Sequence, residues 1–291
     1  MGRNKYSAYL FIAPIFILFS IFIIYPLYDT IRLSFFEWNG FSTETFVGLK
    51  NYQNMFNDPT FYTSLKNYLI FAVLVVSIQM LLGFSIAYLM RKNSRLFKIY
   101  RTIIFTPIVL TSVVIYYTFN KLLAFDYGAI NSFLRMIGLN FLAQQWTGNP
   151  DLVIFTIIGI TIWSGTGFSM AIYSSSLTTL PSDVIEAACI DGANKWQVVS
   201  QIVWPMLRGT HYSLTIIGAI SALKIFDIIF LLTGGGPFHS SEVLSTYMYN
   251  KVFKESEDGF GAAISTVIIA LALLITLLQM RLSQEKKEGS S

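Results

Sequence analysis

The sequence predicts an all-α integral membrane protein with about six transmembrane helices in a single domain of 291 residues. Three observations carry this. Only 12% of the residues are charged while 54% are hydrophobic, whereas a soluble domain carries roughly 25% charged residues. The apolar residues gather in blocks of roughly 20, the length a helix needs to cross a hydrocarbon core of ~30 Å. These blocks are continuous, unlike the alternating ~10-residue segments of a membrane barrel, so helices satisfy their backbone groups.

Taken in order, the spans are Ser7 to Tyr28, Tyr68 to Met90, Thr102 to Asn120, Leu152 to Tyr173, Gly209 to Thr233 and Phe260 to Met280. The first is too long for a secretory signal and reads as a retained helix. Pro14, Pro26, Gly83, Pro107, Gly159, Gly165, Gly167 and Gly218 fall in or beside spans. Small residues allow helices to approach closely, and glycine can also line a path. The Gly234-Gly235-Gly236-Pro237 run predicts an extracellular turn.

Orientation follows from the basic residues, which are retained on the cytoplasmic side. The loop from Arg91 to Arg101 holds Arg91, Lys92, Arg95, Lys98 and Arg101 and no acidic residue. With Arg3, Lys5, Lys195, Arg208, Arg281, Lys286 and Lys287 on the same side, both termini are expected in the cytoplasm of a cell-membrane protein. The net charge of +4 fits a membrane surface. No dense basic run interleaved with exposed aromatics points to nucleic acid. Cys189 is the single cysteine, and His211 and His239 stand far apart, so neither a disulfide framework nor a Cys/His metal site is expected.

Between the fourth and fifth spans, residues 176–208 are too polar to cross a bilayer yet rich in helix signals. Ser182 predicts an N-cap, with Asp183 and Glu186 near the positive end of the macrodipole. Val184, Ile185, Ala188 and Cys189 form an apolar stripe. Gly192 is placed to end that helix in a left-handed conformation. Asn194 and Gln197 resemble a capping box opening a second helix, which carries Trp196, Val199 and Val203 and is expected to stop at Pro205. Two short amphipathic helices need a surface to cover their apolar faces: lipid, the protein's own helices, or a partner.

The string EAACIDGANKWQVVSQIVWPML, Glu186 to Leu207, resembles the EAA loop of binding-protein-dependent ABC importers. GLKNYQNMFNDPTFYTSLKNYLIF and FDIIFLLTGGGPFHSSEVLSTYMY are similar to the flanking stretches of the maltose-type sugar permeases. The resemblance implies a type I importer permease. It would act with a second permease subunit, a cytoplasmic ABC ATPase dimer and an extracellular sugar-binding protein. Glu186, Ala187, Ala188, Asp191, Gly192, Ala193 and Pro205 would couple it to the ATPase. The chain has no G-x-x-x-x-G-K-[ST] loop, so no cofactor is expected in it, and ATP and magnesium would be bound by the ATPase.

By the same resemblance, Ser164, Gly165, Phe168, Gly218, Ser221, Ala222 and Ile225 would line the sugar path. Maltose-type members carry bulkier side chains at Ser221 and Ala222, which implies a different sugar or a weak site on this subunit. Lys224 and Asp227 either form a local i,i+3 ion pair or face a watery cavity and touch the sugar. Trp163 and Phe168 can stack on a sugar ring or simply pack. The rival reading is a multi-span membrane enzyme, such as a lipid or glycan transferase. Such an enzyme needs a cluster of acid, base or metal ligands that the sequence lacks. A channel would leave the loop unexplained.

Overall fold

A computed structural model describes residues 5–91 and 95–288. Arg3 and Lys92, used above for orientation, lie outside these. The described residues are overwhelmingly helical, joined by one antiparallel pair of two-residue strands, Phe36–Glu37 with Thr45–Phe46. Among the described residues, four helices are long and apolar enough to cross a membrane: Ile12–Leu33, Pro59–Leu89, Val153–Thr178 and Asp258–Leu278.

The two remaining predicted spans are interrupted. The third comprises Arg95–Val109 and Ser112–Leu122, bent by 100°. Pro107 lacks an N–H and its ring crowds the preceding turn; Leu110 is extended, at φ −73° and ψ 136°. Thr111 then caps the next helix by accepting from the Val114 N–H. The fifth splits into Arg208–Leu223 and Asp227–Leu232. At ~1.5 Å per residue, neither piece alone covers the ~30 Å core.

The chain divides into two compact units: residues up to Tyr62 with Tyr247–Leu271, and Thr63–Thr246 with the residues from Ala272. In the first, a helix runs Lys5–Phe19, widens into a π turn at Ser20–Ile24 and continues as Tyr25–Leu33. From Ile12 to Ile24 its large apolar side chains are outward, Phe22 being 70% exposed, which suits lipid and not water. A polar knot follows it. Asn51 donates to the Ser34 and Phe36 carbonyls at 3.0 and 2.8 Å, and the Tyr52 hydroxyl donates to Ser34 Oγ at 2.7 Å. Asp58 accepts from the Tyr247 hydroxyl at 2.5 Å and from the Thr60 N–H at 2.8 Å. Burial works to raise the Asp58 carboxyl, but these hydrogen bonds and Lys251 outweigh it and leave its pKa below the ordinary value.

The second unit holds the Val153–Thr178 helix at its centre, with Val153, Ile157, Met170 and Tyr173 buried. A Cβ at Gly83 would stand 2.6 Å from the Ser169 Cβ and 2.8 Å from the Met170 nitrogen. Glycine there is what lets the Pro59–Leu89 helix pack backbone to backbone against Val153–Thr178. The Gly234–Pro237 run is a turn, with φ +61° at Gly234 and +96° at Gly235.

Candidate functional site

Two sites follow from this framework, both within the second unit. The first is the polar segment between the Val153–Thr178 and Arg208–Leu223 helices. Its opening helix is Ser182–Ile190. Ser182 is not its N-cap: Pro181 holds that place in extended geometry, and the Ser182 hydroxyl instead donates to Asp183 at 3.2 Å. Asp183 lies in the first turn. Glu186 is a turn further on, where the macrodipole has faded.

The helix stops as its residues predict. Gly192 has φ +85°; the Ala193 N–H donates to the Ala188 carbonyl at 2.9 Å and the Gly192 N–H to the Cys189 carbonyl at 3.2 Å. This pair of bonds is a Schellman motif. Asn194 and Gln197 then form the full capping box, at 2.9 and 2.8 Å.

Pro205 does not stop the second helix. Lys195–Gln197 passes into a π turn at Val198–Val203 and on through Trp204–Met206. Widening the turn by one residue makes room for the proline ring, which would otherwise meet a carbonyl of the preceding turn. The break comes at Leu207, with φ −86° and ψ 15°.

The two arms differ in what covers them. Val198, Val203 and Leu207 are buried with Phe84, Ala87, Met170, Tyr173 and Leu214 in one cluster. The second arm is therefore rooted among the chain's own helices. On the first arm and the turn, Ile185 and Ala193 pack against that cluster, while Val184 and Ile190 are 43% and 86% exposed, as is Trp196, 75%, at the start of the second arm. Cys189 is exposed, as are Glu186, Ala187, Asp191 and Gly192. Glu186 faces a cavity of about 350 Å³ shared with Arg91 and Arg101, without an ion pair to either.

The second site is a cavity of about 450 Å³. Ser164, Gly165, Phe168, Gly218, Ser221, Ala222 and Ile225 all line it, so the two predicted stretches converge there. Lys224 and Asp227 do not line it. They form no ion pair with each other, since the helix breaks between them and both are exposed. Trp163 packs edge-on against Phe119, with centroids 5.2 Å apart, and is not among the lining residues.

The cavity also holds a residue that the sequence reading passes over. Gln79, on the Pro59–Leu89 helix, donates from Nε2 to the Thr161 carbonyl at 2.8 Å. A Cβ at Gly165 would come within 2.2 Å of that nitrogen, so glycine is what lets the amide lie across the Val153–Thr178 helix. The bond leaves Oε1 as an acceptor in a mainly apolar cavity. Gln79 is the only amide in the Tyr68 to Met90 span, the one signal that marks it.

A family model described as the binding-protein-dependent transport system inner membrane component matches residues 79–288. The chain is 34% identical over 294 residues to the probable ABC transporter permease protein YurN of Bacillus subtilis (strain 168), covering 99% of both chains. It is 30% identical over 285 residues to the lactose transport system permease protein LacF of Rhizobium radiobacter, covering 97% of this chain and 95% of that one. A crystal structure of a bacterial ABC transporter involved in the import of the acidic polysaccharide alginate superposes with a TM-score of 0.84. That match covers 97% of this chain and 96% of the other at 22% identity.

Proposed function

The chain belongs to the binding-protein-dependent inner membrane components of transport systems, and from that premise we propose that it imports a sugar or oligosaccharide as a permease subunit driven through residues 176–208 by a separate ATPase. It is not itself the enzyme of the system, and family membership removes the membrane-transferase reading.

The observation that carries the coupling role is the contrast between the two arms of the segment. The second arm is anchored in the protein core from Val198 onward, while Val184 and Ile190 on the first arm and Trp196 at the start of the second present apolar surface outward. A rooted lever with an uncovered tip is suited to being pushed by a partner. Glu186, Ala187, Ala188, Asp191, Gly192 and Ala193 form or flank the turn between the arms, and Pro205 sets the π turn at its root. The full assembly would comprise this chain, a second permease, an ATPase dimer holding ATP and magnesium, and an extracellular binding protein. Six passes with both termini cytoplasmic suit this arrangement, the bent and broken helices counting as the third and fifth.

For the cargo, sugar is favoured by the lactose permease relative and by the cavity's mix of Phe168 with Ser164, Ser221 and Gln79. Aromatic faces suit C–H surfaces, and an oriented amide and hydroxyls suit sugar hydroxyls. The test is reconstitution with the ATPase, second permease and binding protein, followed by uptake of a panel of radiolabelled mono- and oligosaccharides. Ile190→Asp should release the ATPase on an affinity column without lowering the amount of inserted permease. Gln79→Leu should leave the ATPase bound and raise the KM for uptake severalfold. Retention of the ATPase by Ile190→Asp would remove the docking role, and no uptake of any sugar by the intact wild-type complex would remove the cargo assignment.

A further inference from the structure

His211 is one of two histidines in the chain, and the importer reading assigns it nothing. It sits one turn into the Arg208–Leu223 helix, just past the break at Leu207. At that break the Leu207 N–H reaches back to the Trp204 carbonyl at a long 3.2 Å and is shared with the Val203 carbonyl at 3.3 Å. The imidazole completes what the backbone leaves weak: Nε2 lies 2.9 Å from the Trp204 carbonyl. A carbonyl only accepts, so Nε2 carries the proton, and Nδ1 is left to accept from the Tyr173 hydroxyl at 2.7 Å.

One side chain thus ties together three parts. These are the rooted arm of the 176–208 segment, the helix that follows it and, through Tyr173, the end of the helix that precedes it. The rings reinforce the tie. Trp204 and His211 have centroids 4.1 Å apart, Phe84 meets Trp204 at 4.8 Å, and Phe84 meets Tyr173 at 5.6 Å. A second strut runs alongside, where the Thr210 hydroxyl donates to Ser176 Oγ at 2.8 Å.

We propose that His211 is a positioning residue for transport: it splints the break at Leu207 and pins it to Tyr173. A displacement of the 176–208 segment then moves the Val153–Thr178 and Arg208–Leu223 helices as one body instead of being absorbed at the joint. Both helices contribute walls to the 450 Å³ cavity, so the splint stands between the segment that is pushed and the cavity that must change. The inference rests on the coupling role given to 176–208.

The test uses the complete reconstituted importer in lipid nanodiscs and reads ATP hydrolysis with and without the loaded binding protein. Tyr173→Phe removes one hydroxyl and keeps the ring packing. His211→Ala removes the splint, and His211→Gln restores an amide donor that can reach the Trp204 carbonyl. If the splint transmits motion, Tyr173→Phe and His211→Ala keep the ATPase bound but lose about three- to tenfold of the stimulation ratio, the range expected for losing a net hydrogen bond. His211→Gln should recover part of that loss. The pair should also be non-additive, Tyr173→Phe adding little in the His211→Ala background.

An unchanged ratio in Tyr173→Phe overturns the proposal even where His211→Ala fails to assemble. So does a fall of basal and stimulated hydrolysis in equal proportion, which a merely structural role would give. Gly192→Val in the same assay separates the two readings. Normal coupling in that variant sinks the role of 176–208 itself, whereas a coupling defect there with normal Tyr173→Phe and His211→Ala sinks only the splint.

Discussion

Gly192 offers a perturbation whose size follows from backbone geometry alone. Its φ of +85° is left-handed, and a Cβ built there meets nothing within 4 Å. Any substitution is therefore spared a clash and is charged only for the conformation. For an ordinary L residue that cost is about 1–2 kcal/mol, with asparagine the tolerated exception. A β-branched residue fares worse still. Since about 1.4 kcal/mol is a factor of ten in an equilibrium constant, Gly192→Ala should shift the turn's population by about five- to thirtyfold, Gly192→Asn by much less and Gly192→Val by more. Losing the turn frees the Ala193 and Gly192 N–H groups from the Ala188 and Cys189 carbonyls and misdirects Ile190 and Trp196. The assay is the fraction of ATPase held by affinity-immobilised permease after a salt wash, normalised to permease. The expected order of retention is wild type, then Asn, then Ala, then Val, at equal permease yield. Equal loss in all three variants would show that the presence of any side chain at a contact, and not the conformation, is what matters, and full retention by Val would show that the turn is not needed; either result refutes the argument.

Three further outcomes are expected. The single native thiol at Cys189 should react with a membrane-impermeant maleimide in inside-out vesicles and not in intact cells; labelling from outside in intact cells would reverse the orientation. Lys224→Met and Asp227→Leu should act independently on thermal stability, the double variant matching the sum to within about 0.5 kcal/mol, because no ion pair joins them; a large coupling energy would contradict the broken helix. Asp58 has a folded-state pKa below its ordinary 3.8, so its carboxylate stabilises the folded state above that pH. The contribution should be lost as pH falls through the depressed value. Asp58→Asn should lower the Tm at neutral pH and flatten its acid limb, and an unchanged pH profile would remove the Tyr247 and Thr60 bonds as the cause.

What was legible in the sequence was local. The Ser182–Ile190 helix, the glycine turn and the Asn194–Gln197 box are each decided by bonds within about six residues, and the structure has all three. The four uninterrupted spans were legible because continuous apolar length is itself the signal. The break after Leu223 was not, since Lys224, Ile225 and Phe226 include no proline or glycine. Its support comes from Ser245, whose hydroxyl donates to the Ile225 carbonyl from twenty residues away. Pro107 announced a disturbance but not whether the helix would kink or turn by 100°. The residues assigned to the path by resemblance line one cavity, yet Gln79 stayed hidden because its position lay outside the parts of the fourth and fifth spans taken to form that path. His211 looked isolated because its partner could not be found by spacing: Tyr173 is 38 residues away. His239 bonds to Glu242, a carboxylate only 1% exposed.

The elbow at Pro107–Thr111 has a mechanical consequence. A straight rod passes thrust along its axis, but two limbs set at 100° act as a bell crank. A shift along Arg95–Val109 arrives at Ser112–Leu122 as a sideways swing. Pro107, Ile108, Leu110, Ser112 and Ile115 all face the 450 Å³ cavity, so the corner of the crank is itself part of the cavity wall. An axial displacement of the first limb would therefore carry the cavity wall with it, so the corner links that limb to the cavity's width.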